Sequence, residues 1–325
     1  MNREKKNAQK MNLIIGTRGS TLALWQARHV AAIIEDSNSG TTVSLTIIKT
    51  SGDKMLDTPL SVIGGKGLFT KEIEDALLER RVDIAVHSLK DLPTELPRGL
   101  LLAAIMRRED PRDVFVSRDG RDLEDLEPGA RIGTSSLRRR AFLLNRYPAL
   151  EVVPIRGNVD TRLRKIESED LAGAVVAAAG IVRMGLRDRI TSYLDPYVMI
   201  PAVGQGALAI ECRVNDPQIE AVVNGLHDFG TSRCVLIERA FLQRMGGGCQ
   251  VPMAAHCVTD GDGVRAVAAV VHPDGSPMLR EVYAGRADDP RVGSRLADLL
   301  IERGAAAILR SVLQNWEPGP DDGTS

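Results

Sequence analysis

Short apolar runs alternate with helix-period segments along most of this chain, and that alternation limits the folds open to it. Leu13-Ile14-Ile15 reads as a strand. Residues 21–35 read as a helix with Ser20 at the N-cap and Leu22, Leu24, Trp25, Val30, Ile33 and Ile34 mostly inward. A strand is expected at 43–48 and a helix at 70–80, opened by a capping Thr70 and closed by basic residues. Residues 83–86 form a further strand running into His87-Ser88. Parallel neighbours need a crossover between them, so this order implies a parallel sheet with helices on both faces.

The pattern restarts after Glu109-Asp110-Pro111-Arg112, a polar, proline-bearing stretch that reads as a domain crossing. Strands are expected at 114–116, 131–133, 151–155 and 173–176, with helices at 136–145, 158–167 and 177–184. A second crossing, Pro201 to Gln205, precedes a strand at 207–212, so the chain should leave one domain, build another and return. From residue 231 the character changes. One helix (231–245) leads into a glycine run, then strands near 251–258, 263–272 and 278–284, then helices near 292–303 and 305–314. Strands in succession favour an antiparallel sheet with helices on one face. The expected fold is α/β: two domains with mixed, mainly parallel sheets, plus a smaller α+β domain with an antiparallel sheet. Domain 1 takes residues 11–108 and 202–226, domain 2 takes 109–201, and domain 3 takes 227–316. Residues 1–10 and 317–325 read as disordered tails.

A chain of 325 residues exceeds one ordinary core, and 43% hydrophobic content supplies several. A net charge of −1 argues against a general nucleic-acid or membrane-surface binder, and no apolar run is long enough to span a bilayer. The polar start lacks the apolar core of a secretory signal. Cys212, Cys234, Cys249 and Cys257 form no CxxC pair, which fits free thiols in a reducing cytosol rather than a disulfide framework or a metal centre.

Ligands of open parallel sheets bind beyond the carboxyl ends of the strands. The segments expected there share glycine, hydroxyl groups and positive charge: Thr17-Arg18-Gly19-Ser20, His87-Ser88-Leu89-Lys90-Asp91, Thr134 to Arg140, and Arg156-Gly157-Asn158 with Arg162 one turn on. Helix N-termini favour anions, whereas an arginine there opposes the helix dipole, so its repeated placement points to a polyanionic ligand. Arg18, Arg138, Arg139, Arg156 and Arg162 are read as that set, and Arg140 and Arg164 as solvated faces. Asp91 is an acid in an otherwise basic cleft. It either stabilises a cationic intermediate or moves a proton, or it simply pairs with Lys90 or caps a helix. His87 reads as a base or as a structural histidine. Gly64-Gly65-Lys66-Gly67 lacks P-loop spacing.

Gly246-Gly247-Gly248-Cys249 places a thiol after three glycines that end a helix, with little to shield it. Placement alone leaves a modified thiol and a packed one both open. Cys212, in a strand, and Cys234, in a helix, read as core.

The stretches Gly16-Thr17-Arg18-Gly19-Ser20, Gly64 to Phe69, Asp83 to Pro93, Gly133 to Arg139, Arg156 to Arg162, Pro201 to Gly206, Glu238-Arg239 and Gly247-Gly248-Cys249-Gln250-Val251-Pro252 resemble the porphobilinogen deaminase family, in family order. The resemblance implies two periplasmic-binding-protein-like domains and a third carrying Cys249, to which a dipyrromethane cofactor is joined by a thioether. It implies stepwise joining of four porphobilinogens with loss of ammonia, then hydrolytic release of hydroxymethylbilane. Each pyrrole carries an acetate and a propionate, hence the arginines, and deamination leaves a cation, hence Asp91 as the catalytic residue. By the same resemblance Ser88, Lys90, Asp91, Thr134, Ser136, Arg138, Arg139, Arg162 and Arg183 hold the cofactor. Arg18, Ser20, Lys66, Phe69, Arg156 and Gln205 hold substrate, with Lys66 and Phe69 on a loop over the site. Val62 stands where the family often has lysine, and His256 has no assigned role. A cytoplasmic monomer is expected, with no nucleic-acid or membrane partner. A non-catalytic dicarboxylate-binding protein with the same first two domains is the alternative, and a phosphoryl-transfer enzyme lacks its motifs.

Overall fold

The computed structural model describes residues 11–54, 67–246 and 251–314. In chain order, β1 (Met11–Thr17), α1 (Thr21–Ser37), β2 (Thr41–Ile47), α2 (Ser51–Lys54), α3 (Lys71–Leu78), β3 (Ile84–Ser88) and β4 (Leu100–Ile105) begin a first unit. The chain then builds a second from β5 (Asp113–Ser117), β6 (Arg131–Gly133), α4 (Leu137–Arg146), β7 (Glu151–Val153), α5 (Val159–Ser168), β8 (Gly173–Ala177), α6 (Ala178–Arg183) and β9 (Ser192–Tyr193). It returns with β10 (Leu208–Arg213) and α7 (Pro217–Asn224). A third unit follows: α8 (Phe229–Arg244), β11 (Met253–Asp260), β12 (Gly263–Val271), β13 (Met278–Arg286), α9 (Val292–Glu302) and α10 (Ala305–Gln314).

The two large sheets have one topology. The first is ordered β2-β1-β3-β10-β4 and the second β7-β6-β8-β5-β9. In the first, β1 pairs parallel with β2 and β3, while β10 runs antiparallel to β3 and β4. In the second, β6 pairs parallel with β7 and β8, while β5 runs antiparallel to β8 and β9. The one reversed strand in each sheet is the strand that arrives directly from the other unit. This agrees with the expected mixed, mainly parallel sheets. β4, β9 and α7 are elements that periodicity alone does not mark.

The core forms where the apolar pattern directs it. Ala27, Val30 and Ile34 of α1 pack on Leu13, Ile15, Val86 and Ile210, and Ile73 and Leu77 of α3 cover the opposite face through Ala85. In the second sheet Val114, Val116 and Val176 face α5 and α6, while Phe115 and Val175 face α4. Burying a ring such as that of Phe115, fully enclosed here, stabilises by roughly 1.5–3 kcal/mol. The antiparallel order β11-β12-β13 matches expectation. Val264, Ala266, Ala268 and Val270 of β12 meet α8, α9 and α10, whereas Val267, Ala269 and Val271 join the core under α4, so β12 is covered on both faces.

The expected side-chain cap at Thr70 is not made. Its backbone is already helical, and Thr70 and Lys71 instead donate their N–H groups to the Gly67 carbonyl. The two crossings run side by side, with Glu109 N–H donating to Gly206 O at 3.2 Å. Gly206 has φ +91°, and a Cβ there would lie 2.4 Å from the Glu109 carbonyl oxygen.

Candidate active site

A pocket opens at the carboxyl ends of β1 and β3, lined by Arg18, Ser20, Gln26, Phe69, Thr70, His87, Ser88 and Asp91 among others. Ser20 is the N-cap of α1 and accepts the Ala23 N–H at 3.3 Å. Arg18 pairs with Asp53, and its guanidinium lies over the Phe69 ring, 4.2 Å from the centroid. Gln26 donates to Ser88 Oγ at 3.0 Å, holding that hydroxyl at the end of β3. Asp91, one short helical turn beyond, is exposed and has no ion pair among the described residues. The alternative of a plain Lys90–Asp91 salt bridge is therefore not realised, although Asp91 still acts on Lys90 through space.

Basic residues of the second unit act through space on Lys90 and Asp91 at this pocket, and the sequence hid how they are held. Arg138 and Arg139 lie in the first turn of α4 and are buried. Arg138 donates to Asp113 Oδ2 at 2.7 Å and to the Ile200 carbonyl at 2.6 Å; Arg139 donates to Asp113 Oδ1 at 2.9 and 3.1 Å. Gln205, also buried, donates to the same Oδ1 at 2.9 Å and to the Pro111 carbonyl at 2.7 Å. Lys90 donates to Gln205 Oε1 at 3.5 Å. Burial alone would raise the Asp113 carboxyl, but Arg138 and Arg139 outweigh it and hold the group far below the ordinary carboxylate range. Asp113 escaped the sequence reading. Its one signal is an acid flush against the apolar run 114–116, a place a carboxylate tolerates only when paired.

Lys90, Arg162 and Arg183 are part-buried by surface area yet densely surrounded. Loss of water pulls Lys90 down to about 8, with Arg139 and Arg138 pushing the same way against Asp91 and Asp113. It pulls Arg162 and Arg183 down to about 10. Arg162 donates to Gly157 O at 2.9 Å and Arg183 to Gly206 O at 2.6 Å, and neither pairs with a carboxylate among the described residues. Arg162 also feels Arg139, Asp91 and Arg156, so residues of both units share one field. Arg156 is part-buried after β7. Ser136 caps α4 through the Arg139 N–H at 3.4 Å, the counterpart of Ser20 on α1, and Thr134 Oγ1 accepts the Ser136 N–H at 3.3 Å. Arg164 is exposed, and Arg140 binds the Val152 carbonyl at 3.1 Å.

Cys249 and Lys66 lie outside the described residues. The approach to Cys249 is described: α8 ends at Arg244, and Gly246 takes φ +67°, as expected of a glycine stop. Cys212 and Cys234 are buried, in agreement with the core reading. His256 acquires an account. Its Nδ1 lies 3.3 Å from Glu238 Oε1, which also receives Arg108 at 2.7 Å and the Cys257 N–H at 2.9 Å, while Oε2 receives the Gly204 N–H at 2.8 Å. Burial raises Glu238, but Arg108 and His256 bring it down to about 2. This carboxylate ties α8 and β11 to the crossing that carries Gln205.

A family model described as "Porphobilinogen deaminase, dipyromethane cofactor binding domain" matches residues 13–221, and one described as "Porphobilinogen deaminase, C-terminal domain" matches residues 232–302. The chain is 51% identical over 303 residues to the porphobilinogen deaminase of Pelobacter propionicus, covering 93% of this chain and 97% of that one. It is 49% identical over 302 residues to that of Geobacillus kaustophilus, covering 93% and 97%. Among solved structures, a YaeC-family lipoprotein from Enterococcus faecalis is a loose likeness, with TM-score 0.41 and 12% identity over 68% of this chain and 93% of that one. The two family models between them span the pocket, the arginine cluster and most of the third unit, and the chain belongs to the porphobilinogen deaminase family.

Proposed function

We propose that this chain deaminates porphobilinogen, joins four molecules head to tail on a dipyrromethane primer, and releases hydroxymethylbilane by hydrolysis. The observation that carries the reading is an exposed acid, Asp91, acting through space on Arg162, a part-buried cation with no carboxylate partner among the described residues. Arg162 and Arg183 spend hydrogen bonds only on backbone carbonyls among the described residues. Desolvated guanidiniums of this kind fit a guest bearing acetate and propionate groups, so the donor set matches dipyrromethane. When bound, that cofactor supplies the pyrrole carbon on which the product chain is started. Arg139, Arg162, Arg183 and Lys90, with Thr134, Ser136 and Ser88, orient its carboxylates, and Arg138 braces the cluster from behind. Arg18, Ser20, Phe69, Arg156, Gln205 and Lys66 serve the incoming substrate.

Asp91 stabilises the cation left when ammonia departs. A carboxylate about 4 Å from a unit positive charge contributes roughly 4 kcal/mol at an effective dielectric of 20, a factor of about a thousand in rate. Asp113 already neutralises one charge of the arginine pair, so the cleft keeps a net positive field without two adjacent uncompensated guanidiniums.

Attachment through Cys249 belongs to this reading and is supported by its place in the glycine run. The domain boundaries at 108, 201 and 226 are supported by the three separate sheets. A cytoplasmic monomer is the accompanying assignment, supported by the free thiols of Cys212, Cys234 and Cys257 and a near-neutral charge; among the described residues no helix is long and apolar enough to cross a membrane. Intact-mass measurement of the native chain tests the central point. The expected mass exceeds that of the polypeptide by a dipyrromethane, and Cys249→Ala loses the excess. A bare-chain mass in both would refute the attachment. Incubation with porphobilinogen, followed by acid oxidation, should yield a porphyrin absorbance band, which a non-catalytic dicarboxylate binder would not give.

A further inference from the structure

Beneath the Asp91 pocket, three ionisable side chains converge that the mechanism above does not use. Glu74 comes from α3, His87 from β3 and Glu211 from β10, and all are buried. His87 also lines the pocket beside Ser88 and Asp91. His87 Nε2 lies 3.0 Å from Glu211 Oε2. A carboxylate only accepts, so Nε2 carries the hydrogen and Nδ1 is the ring atom left to take up another proton. Glu74 Oε1, Glu211 Oε1 and Thr70 Oγ1 are buried without a hydrogen-bond partner among the described residues.

Two ionised carboxylates around one imidazole would leave excess negative charge away from water, which is costly. Glu74 avoids it. Burial raises its carboxyl from the ordinary value, and Glu211 and Asp75 add to the rise. The Thr70 hydroxyl, close but outside hydrogen-bond geometry, and His87 offset part of this. The charged groups facing His87 are thus Glu211 and Glu74 within the sheet layer, and Arg18 and Asp91 across the pocket.

Chain growth needs a proton acceptor at this place. Each addition breaks one C–N bond, releases ammonia and forms one C–C bond, while the attacked pyrrole carbon gives up its hydrogen as a proton. We propose that His87 accepts this proton at Nδ1, with Glu211 holding the ring through Nε2 and Glu74 packed against the pair. The proton then leaves with the released ammonia as ammonium, which balances the cycle. Asp91 keeps its separate task of stabilising the cation. The inference rests on the proposed deaminase function.

Three measurements test it. Wild-type consumption of porphobilinogen comes first; its absence would defeat the deaminase reading itself. Given activity, His87→Gln should lower kcat about 100-fold with KM within a few-fold, keep the cofactor mass, and lose one limb of the kcat–pH profile. Glu211→Gln should shift that limb. Independently of turnover, a group raised in the folded state stabilises fully below its unfolded value and loses that contribution as pH rises through its folded value. Wild-type Tm should therefore carry a downward component with rising pH above the ordinary glutamate range that Glu74→Gln lacks. A His87→Gln enzyme within twofold of wild type with an unchanged profile would overturn the proposal, as would a Glu211→Gln profile identical to that of wild type. Should His87→Gln fail to fold, the Glu211→Gln profile decides.

Discussion

In the first α/β unit Arg18 meets its counter-ion, Asp53, at a part-exposed edge, with side chains 24% and 28% exposed. In the second, Arg139 meets Asp113 at 6% and 0% exposure, and Arg138 shares the same carboxylate. The strand orders are identical, and so is the serine cap that opens the helix after the first parallel strand of each sheet. What differs is solvent. A pair that water can screen adjusts its geometry at little cost, whereas a buried pair fixes two guanidiniums before any ligand arrives. The first unit thus presents an adjustable ion pair beside an acid with no ion pair among the described residues, and the second a fixed cationic cluster.

The comparison is broken most severely by Asp113→Ala. Two buried arginines lose their partner, and the chain should lose about 3–5 kcal/mol of stability in urea unfolding. Asp113 also carries a pH signature. Its carboxyl is lower in the fold than in the unfolded chain, so its contribution is present above the ordinary aspartate value and drains away as pH falls below it. Acid unfolding of Asp113→Asn should lack that component.

Asp91→Asn should leave the melting temperature near that of wild type, because Asp91 is exposed and makes no ion pair among the described residues. Its ammonia release should fall by at least about 100-fold. Substantial turnover in this variant would remove the assigned role.

A smaller effect is expected at Lys90. Its ammonium loses charge as pH rises through about 8, so its hold on the cofactor carboxylates weakens and cofactor loading of the apo chain should slow a few-fold above that pH. Lys90→Gln should start with the slower loading and stay flat. The stability sign is opposite: the unfolded lysine holds its proton longer, so stability rises between about 8 and the ordinary lysine value. The smallest change belongs to Asp53→Asn, worth less than about 1 kcal/mol and shrinking with added salt. A loss as large as that at Asp113 would erase the contrast between the units.

Much of this was legible before any coordinates. Ser20 and Ser136 announced their helices, the glycine after α8 announced its stop, and the post-strand segments of Arg18, Ser88 and Asp91 do line one pocket. These features are local, since caps, turns and strand ends are written within four or five residues of each other. Partners distant in sequence were not legible. Asp113 lies 25 and 26 positions from Arg138 and Arg139, and His87 lies 124 positions from Glu211.

The sequence by itself determined the alternation of elements, the positions of the sheet ends, and the residue types gathered there, because periodicity and capping act through neighbours on the chain. Only the tertiary structure decided which charges are spent on one another. Arg138 and Asp113 neutralise each other because α4 packs against the start of β5, while Asp91, whose turn ends at the pocket, has no ion pair among the described residues. Burial and screening depend on what the folded chain brings alongside, and no local pattern encodes that.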